Sequence, residues 1–353
     1  MMPYFQVYYG NAGSSYGLGA ESRKALNRAR ADIAATLQAK PEEIYFTAGG
    51  TEADNWAIRG IAEANKEKGK HIITSQIEHM AVLQTCRFLE TQGYEVTYLK
   101  VDSQGKIDLK ELENAIRRDT ILISIMYANN EVGVIQPVRQ IAEIAHEHGV
   151  LFHTDAVQAY GQIPVLASMD GFDLLSASAH KFNGPKGIGF LYVKGYQKIN
   201  SLMKGGGQEL GKRAGTENVA GIVGMAKAAT MAIREMQERI EKTERLRALL
   251  WAGVFENISH VSCNSEAKEH LPGILNISFC GREAEQILGY LDRKEIYASG
   301  GSACSSYDRK PSHVLQAMGK SAEQIRGAVR FSLGYDNTEE EMEQVIEKLM
   351  KMK

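Results

Sequence analysis

Residues 174–190 read LLSASAHKFNGPKGIGF, and they place a lysine, Lys181, at the end of an apolar run. Small residues precede this lysine and a glycine-rich turn follows it. Lysine side chains are seldom fully buried unless they are paired. The stretch alone allows two interpretations: a surface lysine at the end of a strand, or a lysine that is uncharged because it is bonded to a ligand. The rest of the chain has to decide between them.

The bulk composition is that of a soluble globular protein. The chain has 353 residues, of which 44% are hydrophobic and 24% charged, and its net charge is −2. This length predicts about two domains, and the balanced charge does not favour nucleic acid or an anionic membrane as a partner. The first residues, MMPYFQVYYGNAG, do not resemble a signal peptide. No apolar run approaches the roughly 20 residues of a membrane span, so we predict a cytoplasmic protein.

Four cysteines, Cys86, Cys263, Cys280 and Cys304, lie far apart in the sequence. Without a CxxC pair, neither a zinc ribbon nor a thioredoxin-like motif is predicted, and we expect no metal site. Lone cysteines in a chain of this length indicate a reducing compartment. We predict that Cys86 and Cys280, in apolar elements, are packing residues, and we assign no role to Cys263. Cys304 lies in the small, polar stretch ASGGSACSSYDRKP, where a solvent-reached thiol can act as a nucleophile.

Short apolar segments alternate with amphipathic ones in the first part of the chain. We predict strands at EEIYFT (42–47), HIITS (71–75), EVTYLKV (95–101), TILISIMYA (120–128), GVLFHTDA (149–156), DLLSASA (173–179) and GIGFLYV (187–193). Helices are predicted at 20–39, 49–69, 80–91, 108–117 and 137–148. Apolar strands separated by helices indicate parallel βαβ units whose sheet is covered on both faces.

The pattern changes after the glycine-rich segment KGGGQELGKRAGTEN (204–218). One long helix is predicted at 219–249. Beyond it, GILNISF (273–279), IYASGG (296–301) and AVRFSLG (328–334) are predicted strands of a smaller α+β unit, and the chain ends in a charged helix. We predict a domain boundary near residue 240.

Polar residues follow several predicted strands at their carboxyl ends, where open α/β sheets bind ligands. The segment TAGGTEADN puts Gly49, Gly50 and Thr51 at a strand-to-helix turn, whose backbone N–H groups suit a phosphate. The GxxxxGK[ST] pattern of a P-loop is absent, and glycine turns often only reverse the chain. This signal is therefore weak by itself.

Two further segments add polar groups to the same region. Asn130 follows an apolar strand in YANNEVG, and Asp155 ends another in LFHTDAVQAYG. An acid at a strand end is often a helix cap, but it also suits the protonated ring nitrogen of a cofactor. Together with Lys181, which Ser178 and His180 flank, these groups fit pyridoxal phosphate: a lysine for the covalent link, an acid for the ring and N–H or hydroxyl groups for the phosphate.

Taken together, the motifs resemble the NifS/IscS-type cysteine desulfurases, a group of class V aminotransferases among the fold-type I pyridoxal-phosphate enzymes. The segments that carry the resemblance are FTAGGTEADN, YANNEVGVIQP, HTDAVQAYGQ, SASAHKFNGPKG and SGGSACSS…PSHVLQAMG…VRFSLG, in family order. The resemblance implies an α/β fold with a large cofactor-binding domain at 12–240, whose mostly parallel sheet is flanked by helices. A smaller α+β domain, formed by 1–11 and 241–353, would carry the catalytic cysteine loop.

The resemblance also implies roles around the cofactor. Lys181 would hold pyridoxal phosphate covalently as an imine, and His79, in IEHMAV, would stack on the ring and relay protons. Asp155 would pair with the ring nitrogen, and Gln158 would hydrogen-bond the phenolic oxygen. The residues implied for the phosphate are Gly50, Thr51, Ser178 and His180.

The remaining roles concern the substrate, the sulfur and a second copy of the chain. Thr216, in RAGTEN, would reach the phosphate of the neighbouring subunit of a homodimer. Asn130 and Arg330 would bind the carboxylate of L-cysteine, because the planar fork of arginine matches a carboxylate. Cys304 would take the substrate sulfur as a persulfide, releasing L-alanine. The persulfide would pass to an acceptor such as an iron–sulfur scaffold or a tRNA-thiolation protein.

The sequence departs from the family pattern in two places. A strand resembling YLDNAATT is expected before the YYGN motif and is missing, and Ala12 replaces a usual proline. Leu210 stands where the family often has an arginine, although Arg213 remains. An active desulfurase is favoured because Lys181, Cys304 and Arg330 are all present. The alternatives are a catalytically impaired or partner-dependent paralogue that binds the cofactor, a selenocysteine lyase, and a class V aminotransferase, which would not need Cys304.

Overall fold

The structure, a computed structural model, describes residues 1–195, 197–301 and 311–352. The chain divides into two compact units. The first comprises Met1–Leu99, Leu109–Tyr127 and Pro137–Met236, and the second comprises Lys100–Asp108, Ala128–Gln136 and the chain from Gln237 onward. The structure thus ends the first unit at Met236, close to the boundary predicted near residue 240.

Residues 1–11 differ from the sequence-based prediction, which grouped them with the smaller domain. In the structure they belong to the first unit. The hydroxyl of Ser22 donates to the carbonyl oxygen of Tyr8 at 3.0 Å, and the short helix Pro3–Gln6 contacts the helix Val219–Arg234. These are packing contacts between segments far apart in sequence, so no local pattern could have indicated them.

A seven-stranded sheet forms the centre of the first unit. Its strands are β1 (Ile44–Thr47), β2 (His71–Ser75), β3 (Glu95–Leu99), β4 (Thr120–Ser124), β5 (Leu151–Asp155), β6 (Leu174–Ser178) and β7 (Gly189–Val193). Their order in the sheet is β1-β7-β6-β5-β4-β2-β3. The pairs from β3 to β6 are parallel, whereas β7 is antiparallel to both β6 and β1. The predicted mostly parallel sheet is therefore confirmed.

The helices of this unit cover the sheet. They are α1 (Pro3–Gln6), α2 (Gly17–Leu37), α3 (Gly50–Ala64), α4 (Met80–Thr91), α5 (Leu109–Ala115), α6 (Val138–Glu147), α7 (Ala167–Asp170) and α8 (Val219–Arg234). Helix α3 packs across β4, β5, β6 and β7 and buries Trp56, Ile58 and Ile61. Strands β2, β4, β6 and β7 are buried along their whole length, which is why they read as apolar runs without alternation.

The second unit contains a three-stranded antiparallel sheet of order β10-β9-β8. Its strands are β8 (Val261–Cys263), β9 (Ile274–Phe279) and β10 (Ala328–Ser332). The helices that follow α8 along the chain are α9 (Met236–Asn257), α10 (Ala284–Asp292), α11 (His313–Ala317), α12 (Ala322–Arg326) and α13 (Glu339–Met350). Leu250, Leu275 and Val329 lie in the apolar core of this unit.

Two predicted elements of this region need correction. The single helix predicted at 219–249 is two helices, because the chain turns at Glu235 (φ −100°, ψ 6°), and the second helix continues to Asn257. The segment IYASGG is not a strand. Only Ser299 pairs with Arg330, in an isolated bridge, because the chain bends away through Gly301, whose φ of 105° is outside the extended region of other residues.

A buried ion pair ties the segment after β7 to the sheet. Both carboxylate oxygens of Glu209 accept hydrogen bonds from Arg30, at 2.8 and 2.7 Å, and one also accepts the backbone N–H of Phe46 at 2.8 Å. Both charged side chains are at least nine-tenths buried. The pair therefore holds this segment against β1.

We expect Glu209→Gln to lower the free energy of unfolding by about 3–5 kcal/mol, because it leaves the buried guanidinium of Arg30 without its counter-charge. Denaturant titration measures this loss. The control is Glu143→Gln, which breaks the exposed pair Arg139–Glu143 and should cost less than about 1 kcal/mol. Equal losses in both variants would contradict the prediction.

Candidate functional site

Several predicted residues of the first unit lie at one edge of its sheet. Because β2, β5 and β6 are parallel, and β1 has the same direction through its antiparallel pairing with β7, their carboxyl ends share that edge. The chain beyond these ends carries the glycine turn after β1, His79 after β2, Asp155 at the end of β5 and Lys181 after β6. The topology therefore gathers residues that are remote in sequence.

The predicted phosphate-binding residues line one open cleft of about 750 Å³. It is formed by Ala48, Gly49, Gly50, Thr51, Glu52, Asn55, Ser178, His180, Lys186, Gly187 and Leu202. Residues of the first turn of the 15-residue helix α3 line this cleft, and such a helix end favours an anion. A Cβ atom on Gly50 would lie 2.5 Å from Cγ2 of Val157, so only glycine permits this approach.

The charges at the cleft also suit a phosphate. Lys186 contributes a cation to the lining, and Oγ of Ser178 lies 3.0 Å from Nδ1 of His180. The acid in the lining, Glu52, is neutralised by two hydrogen bonds from Arg213, at 2.8 and 3.0 Å. Burial and the positive charges of the neighbouring lysines lower the pKa of His180.

His79 and Asp155 lie together beneath the edge of the sheet. Nδ1 of His79 accepts the backbone N–H of Ala81 at 3.2 Å as the N-cap of α4. Asp155 is 5% exposed and accepts the backbone N–H of Val157 at 2.9 Å. Burial raises the pKa of Asp155, while the charges of His79 and Lys181 and this N–H lower it.

Lys181 occupies a short 3₁₀ turn, Ala179–Phe182, directly after β6. It is partly exposed, and Gln162 donates a side-chain hydrogen bond to its backbone oxygen at 2.8 Å. Gln158 is also partly exposed, in the loop after β5. Thr216 is exposed and lines a second, smaller cleft of about 150 Å³. Thr216 is thus absent from the lining of the cleft that contains Ser178 and His180.

The predicted substrate-binding pair lies in the second unit. Nη1 of Arg330 donates to the backbone oxygen of Asn130 at 2.8 Å, so the structure brings these two residues together. The backbone of Arg330 pairs with Ser299. The predicted nucleophile, Cys304, lies outside the described residues.

Of the other three cysteines, Cys86 and Cys263 are buried and Cys280 is partly buried. Cys86 is fully buried, and burial raises the pKa of its thiol to about 12. Burial also raises the pKa values of Cys263 and Cys280. A thiol with a raised pKa contains little of the nucleophilic thiolate at neutral pH. The prediction that Cys86 is a packing residue agrees with its full burial, whereas Cys280 is only partly buried.

The sequence analysis missed four polar residues of this region: Asp54, Glu78, His153 and Lys186. Asp54, Glu78 and His153 are at most 1% exposed. The sequence does contain a signal for them, because each is an ionisable residue inside an otherwise apolar face or run. To interpret that signal one must know which helix and strand faces pack against each other. The periodicity of apolar residues along the sequence does not give this information.

Glu78 should make folding stability depend on pH. Its oxygens accept the Ser75 hydroxyl at 2.6 Å and the Met126 N–H at 3.0 Å, but burial dominates and raises its pKa to about 8 from 4.5. Between these values the unfolded chain loses the proton that the folded protein keeps. The contribution of Glu78 to stability therefore falls as the pH rises, by up to about 1.4 kcal/mol per pH unit.

We expect Glu78→Gln to abolish this contribution, so the stability of the variant rises relative to wild type from pH 5 to pH 8. Denaturant titrations of both proteins at several pH values measure the difference. Parallel curves would show that Glu78 is ionised in the folded protein and would contradict the prediction.

No helix within the described parts of the chain combines the length and apolarity that a membrane crossing requires.

Known proteins similar to this chain are found by family, by sequence and by structure. Residues 1–345 match the aminotransferase class-V family. The cysteine desulfurase IscS of Clostridium botulinum is 49% identical, over 100% of this chain and 89% of that protein. A solved NifS-like protein matches with a TM-score of 0.94 and 39% identity, over 99% of this chain and 93% of the other. A structure of SspA in complex with cysteine matches with a TM-score of 0.84 and 36% identity, over 95% and 94%.

These matches span almost the whole chain. The chain therefore belongs to the aminotransferase class-V family and, within it, to the NifS/IscS-type cysteine desulfurases.

Proposed function

We propose that this enzyme removes sulfur from L-cysteine with pyridoxal phosphate as its cofactor, giving L-alanine and a persulfide on Cys304. The observation that carries the proposal is the grouping of Lys181, His79 and a buried Asp155 at the sheet edge on which the phosphate-suited cleft also opens. A lysine, a buried acid and an anion site are the three features that this cofactor requires.

The residues present fit the cofactor. Gly50, Thr51, Ser178 and His180 would hold its phosphate, and Lys186 would add a positive charge to the same cleft. The buried carboxylate of Asp155 would pair with the ring nitrogen. When bound, pyridoxal phosphate supplies an electron sink for bonds broken at the substrate's α-carbon.

The side chains of the enzyme would then carry the protons and the sulfur. The amine of Lys181 takes the proton from the α-carbon of the substrate. The thiolate of Cys304 attacks the sulfur atom of the bound cysteine, so that an S–S bond forms while the bond from the β-carbon to sulfur breaks. The electron pair of the broken bond stays with the carbon skeleton, which takes up a proton at the β-carbon. A proton returned to the α-carbon by Lys181 then completes alanine, which leaves.

Two observations support cysteine as the substrate and Cys304 as the acceptor of its sulfur. The related SspA structure is a complex with cysteine, and the guanidinium of Arg330 offers the planar fork that matches a carboxylate. Among the thiols that the structure describes, those of Cys86, Cys263 and Cys280 all have raised pKa values. They are therefore poor candidates for the attacking thiolate.

We further propose that the enzyme is a cytoplasmic homodimer. Thr216 lines a different cleft from the phosphate-suited one of its own chain, which supports a role toward a second copy. Exposed apolar side chains near the first helix, such as Phe5, Tyr9 and Tyr16, would be covered by such a copy. The persulfide would be passed to an iron–sulfur scaffold or a tRNA-thiolation protein.

The test is to incubate the cofactor-loaded protein with L-cysteine and a thiol reductant and to quantify both products. We expect one alanine for each sulfide. In a parallel sample without the reductant, where the persulfide is not cleaved, mass spectrometry should place it on the peptide that contains Cys304. Bound cofactor without either product would overturn the proposal and favour an impaired or partner-dependent paralogue.

Two related activities are distinguished in the same assay. A selenocysteine lyase would act on L-selenocysteine and release little sulfide from L-cysteine. A class V aminotransferase would form a keto acid and would leave Cys304 unmodified. Either result would replace the proposed reaction while keeping the cofactor assignment.

A further inference from the structure

A second carboxyl group is buried beside Asp155. Asp54 lies on α3 and is 1% exposed, and its carboxyl lies within 4.8 Å of side-chain ligand atoms of both Asp155 and His79. Nothing in the proposed reaction uses this group. An acid in the interior requires a partner or a proton, because transferring an isolated carboxylate out of water is very costly.

The neighbours of Asp54 are polar but provide little positive charge. Oδ1 of Asp54 lies 3.7 Å from Nε2 of His153 and has no hydrogen-bond partner among the described residues. The two ring nitrogens of His153 lie 2.9 and 3.0 Å from the hydroxyls of Ser124 and Ser176. Burial lowers the pKa of His153 to about 3, so this ring is neutral and supplies no counter-charge.

Positively charged neighbours lower the pKa of Asp155 but not that of Asp54. Asp155 accepts the N–H of Val157 and is stabilised as an anion by the charges of His79 and Lys181. Burial and the charge of Asp155 raise the pKa of Asp54 well above its usual range, against a smaller effect of the Ser176 hydroxyl. The nearby Glu78 is also buried and adds to the cost of a further negative charge.

Two carboxylates this close in a dry site do not both ionise readily, and the one with fewer positive neighbours keeps its proton. We propose that Asp54 remains protonated, so that the buried pair has one negative charge and Asp155 carries it. This inference rests on the proposed role of Asp155 toward the cofactor ring. Its consequence is that a single carboxylate would face a single protonated ring nitrogen, with no surplus buried charge.

Infrared spectroscopy tests the protonation state directly. The C=O stretch of a buried carboxylic acid is separate from that of carboxylates and shifts in D₂O. At pH 7 we expect wild type to show such a band that is missing from Asp54→Asn and retained in Asp32→Asn, a control at an exposed acid. Glu78→Gln identifies the separate band of Glu78, and Asp54→Ser serves as a second variant if Asp54→Asn does not fold.

A second readout uses the cofactor-loaded enzyme. The visible absorbance of bound pyridoxal phosphate is recorded against pH for wild type and Asp54→Asn. Near neutral pH we expect the midpoints to agree within about 0.3 pH units, because asparagine replaces a neutral acid, and the dissociation constant of the cofactor to change less than threefold. A midpoint that falls by one unit in the variant would show that wild-type Asp54 is ionised, because removing a nearby negative charge favours deprotonation.

The outcomes separate this inference from the proposed function. If Asp54→Asn keeps every acid band of wild type, or if its absorbance midpoint falls, then Asp54 is not protonated in wild type. Either result overturns this inference even if cysteine is turned over normally. Failure of the wild-type protein to bind pyridoxal phosphate overturns the proposed function, whereas the infrared bands of the cofactor-free protein still report whether Asp54 is protonated.

Discussion

Replacing Lys181 with alanine should lower the rate of alanine formation from L-cysteine by about 10³-fold or more. A positioned acid or base contributes about 10²–10⁴-fold by itself, and this lysine would also provide the covalent attachment of the cofactor. Its location directly after the buried strand β6, close enough to Asp155 to influence that carboxylate, suits both tasks. Initial rates of alanine formation measure the first effect.

The covalent attachment is measured separately from the rate. After borohydride reduction, the wild-type protein should gain the mass of the cofactor and Lys181→Ala should not. Lys194→Ala is the matched control, because Lys194 is an exposed lysine just after β7 in the same sheet. It should keep both the attachment and the rate within about twofold. A covalent adduct on Lys181→Ala would mean that another lysine holds the cofactor.

Replacing Cys304 with alanine should reduce sulfide release to the level of the cofactor-free protein, a loss of at least about 10³-fold. The reason is that the sulfur of the substrate then has no thiolate to attack it, although the lysine, the acid and the phosphate-suited cleft are unchanged. Cofactor binding, measured by visible absorbance, should be the same as in wild type. Sulfide release under turnover with a thiol reductant measures the loss.

The control for Cys304 is Cys280→Ala, which removes a thiol whose pKa is raised by burial. This variant should retain sulfide release within about twofold. If Cys304→Ala still released sulfide while Cys280→Ala did not, the nucleophile would be Cys280 and the proposed assignment would be wrong. If both variants were fully active, neither Cys304 nor Cys280 would be the sulfur acceptor, and the assignment of Cys304 would be wrong.

The local pattern of apolar and polar residues predicts which strands and helix faces are buried. The strand predicted at 120–128, observed at Thr120–Ser124, and the helix predicted at 80–91 follow from the rule that a fully covered strand or one face of a helix must be apolar. The residues predicted for the phosphate were found in one cleft, since turns at the carboxyl ends of parallel strands converge. Cys304 and its role stay a prediction from the motif alone.

The predicted elements are wrong where contacts between segments remote in sequence, rather than the local sequence pattern, determine the backbone conformation. The helix predicted through Glu235 is broken there, in a segment without glycine or proline that could have indicated the turn. The extended segment at 296–301 makes only one bridge, because Gly301 bends the chain out of register. Residues 1–11 belong to the first unit, where α1 contacts the distant helix α8.

The amino-acid sequence was sufficient to establish the α/β class, the family and the position of Lys181 after a buried strand, because these depend on composition, period and motif along a short stretch. The proximity of Asp54 to Asp155, and the neutral ring of His153 beside it, came from the folded chain alone. The reason is physical: the ionisation of a buried acid depends on the water removed from it and on the charges around it. Folding determines both by bringing distant segments together.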